Sequence, residues 1–327
     1  MWRTVGRFAT VVCLFGWVLA SGLSHAAATF PGGNGEIAYS RLSMTRGWNG
    51  ASLRTIQPDG TAGRVLWPAK DHLGHGFGQA VPWDVDWSPG GDLVAYVATG
   101  TTLGNDRLLV GDPDTTGDRT VILRMTHFNS HAFIASIAFA PDGTSLVFCA
   151  VDIGGPGVAR LYTIGVDGSD PTLVADRPLC LADWSADGKL VAAAGRSWHR
   201  LVTLDPDGSN QTTILKWPET ALDGSSPSWS PDSSTIAFTA QPPDRKHQEL
   251  FTVPATGGTP TQLTMSRRSG EFHPVFSPDG NSIVFTRTRD YFNEQADLFM
   301  TDTTDAVVTR LTDTPKFTEL SRSWLAV

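Results

Sequence analysis

The sequence predicts an all-β protein, and within that class a six-bladed β-propeller of four-stranded antiparallel blades. Three observations support this prediction. A Trp-Ser-Pro-Asp-Gly type of phrase followed by a β-branched run recurs along the chain, its full copies lie 45 to 52 residues apart, and the chain contains 33 Gly and 21 Pro. This composition favours short strands joined by tight turns over helices. A period of about 40–50 residues suits one propeller blade.

Five full copies of the phrase define the first two strands of the repeat. They are VDWSPGGDLVAY, IAFAPDGTSLVF, ADWSADGKLVAA, PSWSPDSSTIAF and PVFSPDGNSIVF, with the anchor aromatics Trp87, Phe139, Trp184, Trp229 and Phe276. An inner strand ends at each aromatic residue. A turn follows, because proline presets one turn dihedral and glycine tolerates positive φ. We expect the aromatic rings to be wedged between neighbouring blades, where they bury the most apolar surface.

The rest of each repeat supplies two more strands. A third strand (LLVGD, LYTIGV, LVTLD, LFTVP or LFMTD) is followed by a second turn and a short fourth strand. Clipped copies occur at both ends: GEIAYS lacks an inner strand, and the terminal SRSWLAV resembles one. We therefore expect the C-terminal strand to pair with Ile37–Ser40 in the N-terminal blade and to close the ring at six blades. Radial packing buries both faces of each sheet and leaves only short edges.

The repeat, written x-W-S-P-D-G-x-x-I-A-F with a following L-F-x-V and G-G-x-P-x-Q-L-T, resembles the TolB-type, WD-repeat-like propeller repeat. Similar propellers occur in the prolyl oligopeptidase and dipeptidyl peptidase IV families. The resemblance covers nearly all of residues 30–327 and implies the fold. TolB proteins carry an α/β domain before the propeller, and the peptidases add a hydrolase domain with a G-x-S-x-G elbow. We expect neither here, since the repeat starts near the mature N-terminus and that pentapeptide is missing from the sequence.

Residues 1–26 have the pattern of an export signal. Arg3 and Arg7 precede or flank the apolar run FATVVCLFGWVLA, and Ser-His-Ala then predicts cleavage after Ala26. The apolar run is short for a membrane span, although an uncleaved N-terminal anchor is the alternative. We expect an exported protein, extracellular, periplasmic or cell-envelope associated, with the propeller domain over residues 27–327.

The net charge and the distribution of apolar residues argue against several classes of partner. The chain has 25 Lys and Arg against 33 Asp and Glu, a net charge of −8, which argues against nucleic acid or an anionic membrane surface. No further apolar segment approaches the length of a transmembrane helix. We expect a monomer.

Two cysteines, Cys149 and Cys180, remain after removal of the signal. An oxidising compartment permits a disulfide between them. Both lie in apolar predicted strands, so two buried free thiols are an equal alternative.

The candidate binding residues concentrate in loops on one side of the predicted propeller. In a four-stranded meander, the second–third loops and the blade-to-blade loops share one face, which we call the top face. The mouth of a propeller is concave, and loops on a rigid scaffold commonly carry function. The candidates are Trp48, His72, His75, Trp83, His127, His131, Trp198, His199, Arg245, His273, Arg289 and Tyr291.

Three aspartates lie near the predicted channel. Asp84 and Asp86 belong to the second inner strand, and Asp183 occupies the position equivalent to Asp86. Inward carboxylates can bind a cation or an amine. The interpretation we favour is structural: buried carboxylates accept hydrogen bonds from backbone N–H groups of the channel wall.

Two functions follow as hypotheses. The first, which we favour, is a non-catalytic exported propeller that binds a protein, a peptide or a cell-envelope glycan through the top face, without a cofactor. The second is a metal-assisted polysaccharide lyase or hydrolase that uses the top-face histidines, since oligogalacturonate lyases have a histidine-lined metal site on a related propeller. A metal site requires that at least three histidine nitrogens converge on one point.

Overall fold

The computed structural model describes most of the chain. The described residues are 30–43, 47–68, 81–99, 104–115, 119–127, 132–152, 158–195, 198–217, 227–266, 268–290, 293–315 and 317–327. All statements of structure below refer to these ranges.

The described residues form β-strands almost throughout, with a short 3-10 helix at Met125–His127. Apolar and β-branched runs such as VAYVAT, SLVFCAVD and TIAFTA build the central strands, which are buried over most of their length. The strands are β1 (Asn34–Ser43), β2 (Gly47–Ile56), β3 (Val65–Pro68), β4 (Val81–Trp87), β5 (Val94–Thr99), β6 (Arg107–Gly111), β7 (Arg119–Arg124), β8 (Ala132–Phe139), β9 (Ser145–Asp152), β10 (Val158–Gly165), β11 (Thr172–Ala175), β12 (Leu179–Trp184), β13 (Leu190–Ala194), β14 (Arg200–Leu204), β15 (Thr212–Lys216), β16 (Ser228–Trp229), β17 (Thr235–Ala240), β18 (Glu249–Pro254), β19 (Thr261–Gln262), β20 (Glu271–Phe276), β21 (Ser282–Asp290), β22 (Asn293–Asp302), β23 (Val308–Arg310) and β24 (Phe317–Ala326).

Four sheets are four-stranded antiparallel meanders, as the repeat predicts. They comprise β4–β7, β8–β11, β12–β15 and β16–β19, each in chain order. Each begins with a strand that ends at an anchor aromatic, in order Trp87, Phe139, Trp184 and Trp229. The periodicity of the sequence therefore sets the strand content of these units.

The remaining strands form one sheet of eight strands, which differs from the predicted set of separate four-stranded sheets. The order β20-β21-β22-β24-β1-β2-β3, with β23 also on β22, arises because β22 and β24 meet in a single parallel pairing of Ala296 with Thr318. Within it, the C-terminal strand β24 pairs antiparallel with β1. Ile37 lies opposite Trp324 and Ala38 opposite Ser323, which is the pairing that the two clipped copies of the phrase predict.

The first turn of each repeat is built by its aspartate and by a residue with positive φ. In the copy at Ser277–Gly280, the N–H of Gly280 donates to the carbonyl of Ser277 at 2.8 Å, and Gly280 has φ +75°. The Asp279 carboxylate accepts the Ser277 hydroxyl at 2.6 Å and the N–H of Asn281 at 3.0 Å. These aspartates are turn formers, as short Asx hydrogen bonds commonly are.

The anchor aromatics are buried, with 4% or less of each side chain exposed. Continuous apolar contact extends from one sheet to the next: a single cluster includes residues of β5 through β14. The core of the molecule therefore lies between sheets, and each sheet depends on its neighbours to cover its faces.

The second turn of the repeat packs against a neighbouring unit, in or directly after its fourth strand. Its glycine has positive φ and approaches a backbone carbonyl so closely that a Cβ would lie 2.0 to 2.9 Å from the oxygen. Glycine is required here for both reasons. The four such contacts join Gly168 to Ile122, Gly208 to Val174, Gly257 to Ile214 and Gly60 to Leu311.

Candidate functional site

The inner strands share a β-bulge a few residues before the anchor aromatic. The pairing with the second strand shifts register between Pro82 and Val85, between Cys180 and Asp183, and between Phe272 and Val275. A bulge bends a strand and changes the direction of its side chains. The sequence does not reveal this feature, although it determines which side chains of these strands face the neighbouring inner strand.

Asp84 and Asp86 of β4 are fully buried and hydrogen-bond to the next inner strand, β8. The Asp84 carboxylate accepts the N–H of Ile137 at 2.9 Å, and the Asp86 carboxylate accepts the N–H of Phe139 at 2.6 Å. The second oxygen of Asp86 accepts the hydroxyl of Ser323 in β24 at 2.6 Å. Asp86 therefore links three sheets: its own, the following one and the one that contains the chain terminus.

Asp183 repeats this arrangement two sheets further along the chain. Its carboxylate accepts the N–H of Trp184 at 2.9 Å and that of Trp229, the next anchor aromatic, at 2.7 Å. Burial raises the pKa of both Asp86 and Asp183 well above the usual range, and the charge of a neighbouring aspartate raises each further. These carboxyls act as acceptors that hold adjacent inner strands together, which is the interpretation favoured from the sequence.

Other buried acids escaped the sequence analysis. Asp106 accepts the N–H of Ile134 at 3.0 Å, and burial raises its pKa to about 7. Glu271 pairs with Arg287 at 2.5 Å across β20 and β21, and Glu319 pairs with Arg41 at 2.5 Å across β24 and β1. Glu271 stands five residues before the anchor aromatic Phe276, and Glu319 stands five residues before Trp324 of the terminal clipped copy. That repeated position is the signal from which they could have been found.

The structure describes only some of the predicted top-face residues. His72, His75, His131 and Tyr291 lie outside the described residues. Trp48, Trp83, His127 and Arg289 fall in β2, β4, the 3-10 helix and β21, and their side chains are outside the description. The convergence of these residues on one site therefore stays a prediction. Trp198, His199, Arg245 and His273 are described.

His273 corrects one expectation from the sequence. The segment EFHPVF was interpreted as a blade-to-blade loop, but it is strand β20 and is buried throughout. His273 has φ +56° at the bulge and only 4% exposure. The cause is the bulge itself, which breaks the alternation of apolar and polar residues that would have marked a strand.

The other three described residues occupy different surroundings. Trp198 packs against the large apolar cluster, and the carbonyl of His199 accepts the N–H of Trp217 at 2.8 Å. Arg245 lies 3.7 Å from the carboxylate of Asp244. Among the described residues, no three His, Cys, Asp or Glu side chains form a group suited to a metal ion.

Cys149 and Cys180 form a disulfide, with Cα atoms 5.2 Å apart. The bond connects β9 of one sheet to β12 of the next, and both residues are completely buried. Of the two alternatives left by the sequence, the structure has the covalent one. In the described part of the chain, no helix has the length and apolarity needed to cross a bilayer.

Comparison with known proteins finds sequence similarity to TolB proteins. No family model matches the chain. The Tol-Pal system protein TolB of Gluconobacter oxydans (strain 621H) is 32% identical over 101 residues, which are 31% of this chain and 20% of that protein. The TolB of Anaeromyxobacter dehalogenans (strain 2CP-1 / ATCC BAA-258) is 29% identical over 130 residues, 40% of this chain and 27% of that protein. The matches thus span well under half of the relatives' length.

Solved structures extend the similarity to most of the chain. TolB from Acinetobacter baumannii superposes with a TM-score of 0.68 at 18% identity, covering 90% of this chain and 67% of that one. An oligogalacturonate lyase in complex with manganese reaches 0.53 at 15% identity, covering 80% and 70%. At such identities the likeness concerns the fold and does not favour a lyase. The chain has the fold of a TolB-like β-propeller, and the partial sequence similarity to TolB proteins agrees with this fold.

Proposed function

We propose that the chain is an exported, non-catalytic six-bladed β-propeller that binds a protein partner in the cell envelope. The relatives named above are Tol-Pal system proteins named TolB, and this similarity supports a protein partner. A propeller supports such work by presenting loops from a rigid scaffold. A peptide or an envelope glycan is a further ligand class for the same face.

The six-bladed ring is supported by contacts at each of six interfaces. In this arrangement β24, β1, β2 and β3 form the first blade, and β20–β23 the last. Each interface has a contact between neighbouring units: Ser323 with Asp86, Asp86 with Phe139, Cys149 with Cys180, Asp183 with Trp229, Leu250 with Glu271, and Leu311 with Gly60. The last of these contacts joins the sixth unit to the first, which supports a closed ring.

The use of the inner-strand carboxylates is the observation that supports a scaffold best. Asp84, Asp86 and Asp183 each accept backbone N–H groups from an adjacent inner strand and are fully buried. A general base or a metal ligand must reach its substrate. Carboxylates committed in this way instead give the channel wall its rigidity, which suits a binding platform.

Export is supported by the disulfide as well as by the N-terminal pattern. Structural disulfides persist in oxidising compartments and are rare in the cytosol. The Cys149–Cys180 bond therefore agrees with cleavage after Ala26 and with a periplasmic or extracellular location. We propose that the exported chain is a monomer.

The binding face is testable by affinity capture from an envelope fraction. Alanine variants at Trp48, Trp83 and Tyr291 on the proposed top face should lower recovery of a protein partner severalfold, because buried aromatic anchors dominate interface energies. Val307→Ala is the matched control. Val307 is 62% exposed and lies in the turn between β22 and β23, on the face opposite to the proposed top face.

Equal recovery with all variants and the control would contradict the proposed face. Capture of polysaccharide in place of protein, after nuclease and protease treatment of the fraction, would replace the protein partner by a glycan. Mass spectrometry of the intact exported chain checks the cleavage site independently.

A further inference from the structure

Two cations lie opposite each other at one corner of the β12–β15 sheet. Arg200 begins β14 and Lys216 ends β15, and the two are direct partners in the strand register. Like charges directly opposite on a sheet repel and destabilise the pairing. Among the residues that the structure describes, no carboxylate forms an ion pair with either side chain. We call His199, Arg200 and Lys216 the basic corner.

The preceding repeat provides an internal comparison. Its strands read RLYT and end in LVAD, where the β12–β15 sheet reads RLVT and ends in TILK. Arg160 occupies the position of Arg200, and Asp176 that of Lys216. Arg160 and Asp176 form an ion pair at 3.1 Å. The fold therefore accommodates a neutralised pair at this position, and the basic corner carries a second cation in place of the acid.

Polar atoms of the basic corner are buried without partners. The Nε of Arg200 and the Nδ1 of His199 are both inaccessible to solvent and make no hydrogen bond within the described residues. Buried donors are normally satisfied, and each that is not needs an explanation. Two such atoms on adjacent residues show that protein groups leave this corner unsatisfied, and an anion would reach it through the Nη atoms of Arg200 and the ammonium of Lys216.

A glycine turn holds the side chains of His199 and Arg200 in place. Gly195 has φ +95°, and the position that a Cβ would occupy is 3.0 Å from Cε1 of His199 and 3.6 Å from Nη2 of Arg200. A side chain at this position would crowd the His199 ring, so glycine allows both side chains to pack against the turn. The turn is held by a hydrogen bond from the N–H of Trp198 to the carbonyl of Gly195 at 3.2 Å.

We propose that the basic corner binds the carboxylate or phosphate group of an anionic ligand. Arg200 supplies a planar fork of donors matched to two oxygens, His199 supplies an imidazole N–H, and Lys216 adds a point charge from the neighbouring strand. The bound anion relieves the repulsion between Arg200 and Lys216. His199 is one of the predicted top-face residues, so the basic corner adds an anion-binding position to the proposed top face, and its test does not require the protein partner.

The test is an NMR titration of the purified exported chain with inorganic phosphate and, separately, with glucuronate at low salt. The backbone amides of residues 198–200 and 216 should shift saturably with at least one of the two anions. Arg200→Gln should weaken binding about tenfold or more, because a hydrogen bond to a charged group is lost. Lys216→Gln should weaken it severalfold, and added NaCl should weaken it further through screening.

Arg160→Gln is the matched control, since it removes an arginine from the equivalent position of the preceding sheet. It should leave the dissociation constant unchanged. Saturation with phosphate alone identifies a phosphorylated ligand, and saturation with glucuronate alone a carboxylate ligand; both outcomes support the site. Absence of saturable shifts with both anions overturns it, as does equal weakening by Arg160→Gln. If Arg200→Gln fails to fold, the exposed Lys216→Gln variant decides.

Discussion

Breaking the disulfide between Cys149 and Cys180 should lower the free energy of unfolding by about 4 kcal/mol. The bond closes a loop with a sequence separation of 31 residues. For a loop of this length, the chain-entropy relation assigns about 12 cal/mol/K to the restriction of the unfolded chain, which is about 4 kcal/mol at 25 °C. The bond also crosses between two sheets, so its loss loosens an interface as well as the unfolded ensemble.

The measurement is equilibrium urea unfolding of the exported chain with and without a phosphine reductant. Reduction keeps both sulfur atoms, so the difference reports the cross-link without a change in side-chain volume. With an unfolding entropy of about 2.1 cal/mol/K for each residue, a chain of about 300 residues should also lose about 6 °C in melting temperature.

The control is the double variant Cys149→Ala/Cys180→Ala, which should unfold identically with and without reductant. A loss below about 1 kcal/mol on reduction would refute the reasoning, because the cross-link would then do little to the unfolded chain. A response of the double variant to reductant would show that the effect has another source.

Three further predictions concern glycine contacts and buried acids. Gly208→Ala should destabilise by about 1–3 kcal/mol more than Gly188→Ala in urea unfolding, because both have φ above +80° but only the first places a Cβ 2.0 Å from the carbonyl of Val174; equal losses would contradict the proposed close approach. Asp183→Ala should cost about 3 kcal/mol by the same measurement, since two buried N–H groups lose their acceptor; a loss under about 1 kcal/mol would mean that these groups find other partners. Burial raises the pKa of Asp106 from 3.8 to about 7, so stability should fall by at most about 4 kcal/mol as pH rises from about 4 through 7. Asp106→Asn should remove this part of the pH dependence, and an unchanged pH profile would contradict it.

The sign of the pH effect follows from the direction of the shift. A carboxyl whose pKa is raised by folding binds its proton more tightly in the folded state, so the folded chain is favoured at low pH. The stabilisation is complete below the ordinary pKa of aspartate and is lost as pH passes through the raised value. Chemical denaturation between pH 4 and pH 8 covers this window.

Much of the fold could be predicted because the repeat depends on interactions between residues that are close together in the sequence. The aromatic residue, the proline, the turn aspartate and the β-branched run each act within a few residues, so strands and turns follow from the phrase itself. The pairing of Ile37 with Trp324 was predictable as well, because two incomplete copies of one phrase imply a shared sheet. The joining of β22 to β24 was not, because no residue pattern announces a single parallel pairing.

The site was harder to predict than the fold. His273 was assigned to a loop because a bulge interrupts the alternation in its strand, and bulges have no reliable sequence signature. The residues of the basic corner are present in the sequence, but the sequence does not show which of them are neighbours. The structure places Arg200 opposite Lys216, whereas Arg160 of the preceding sheet pairs with Asp176. The strand register brings the two cations together, and this proximity makes them a candidate site.

By itself, the sequence determined the all-β class, the period of the repeat, the turns and the pairing of β1 with β24. The first three features depend on side chains that are close together along the chain. The pairing follows from two incomplete copies of the repeat, one of which lacks the inner strand that the other supplies. Only the tertiary structure decided the partners of the buried polar groups. Asp86 and Ser323 are 237 positions apart, and the thiols of Cys149 and Cys180 belong to different sheets. Such pairs form because a buried polar group must find a partner wherever packing brings one, and distance along the chain does not record that packing.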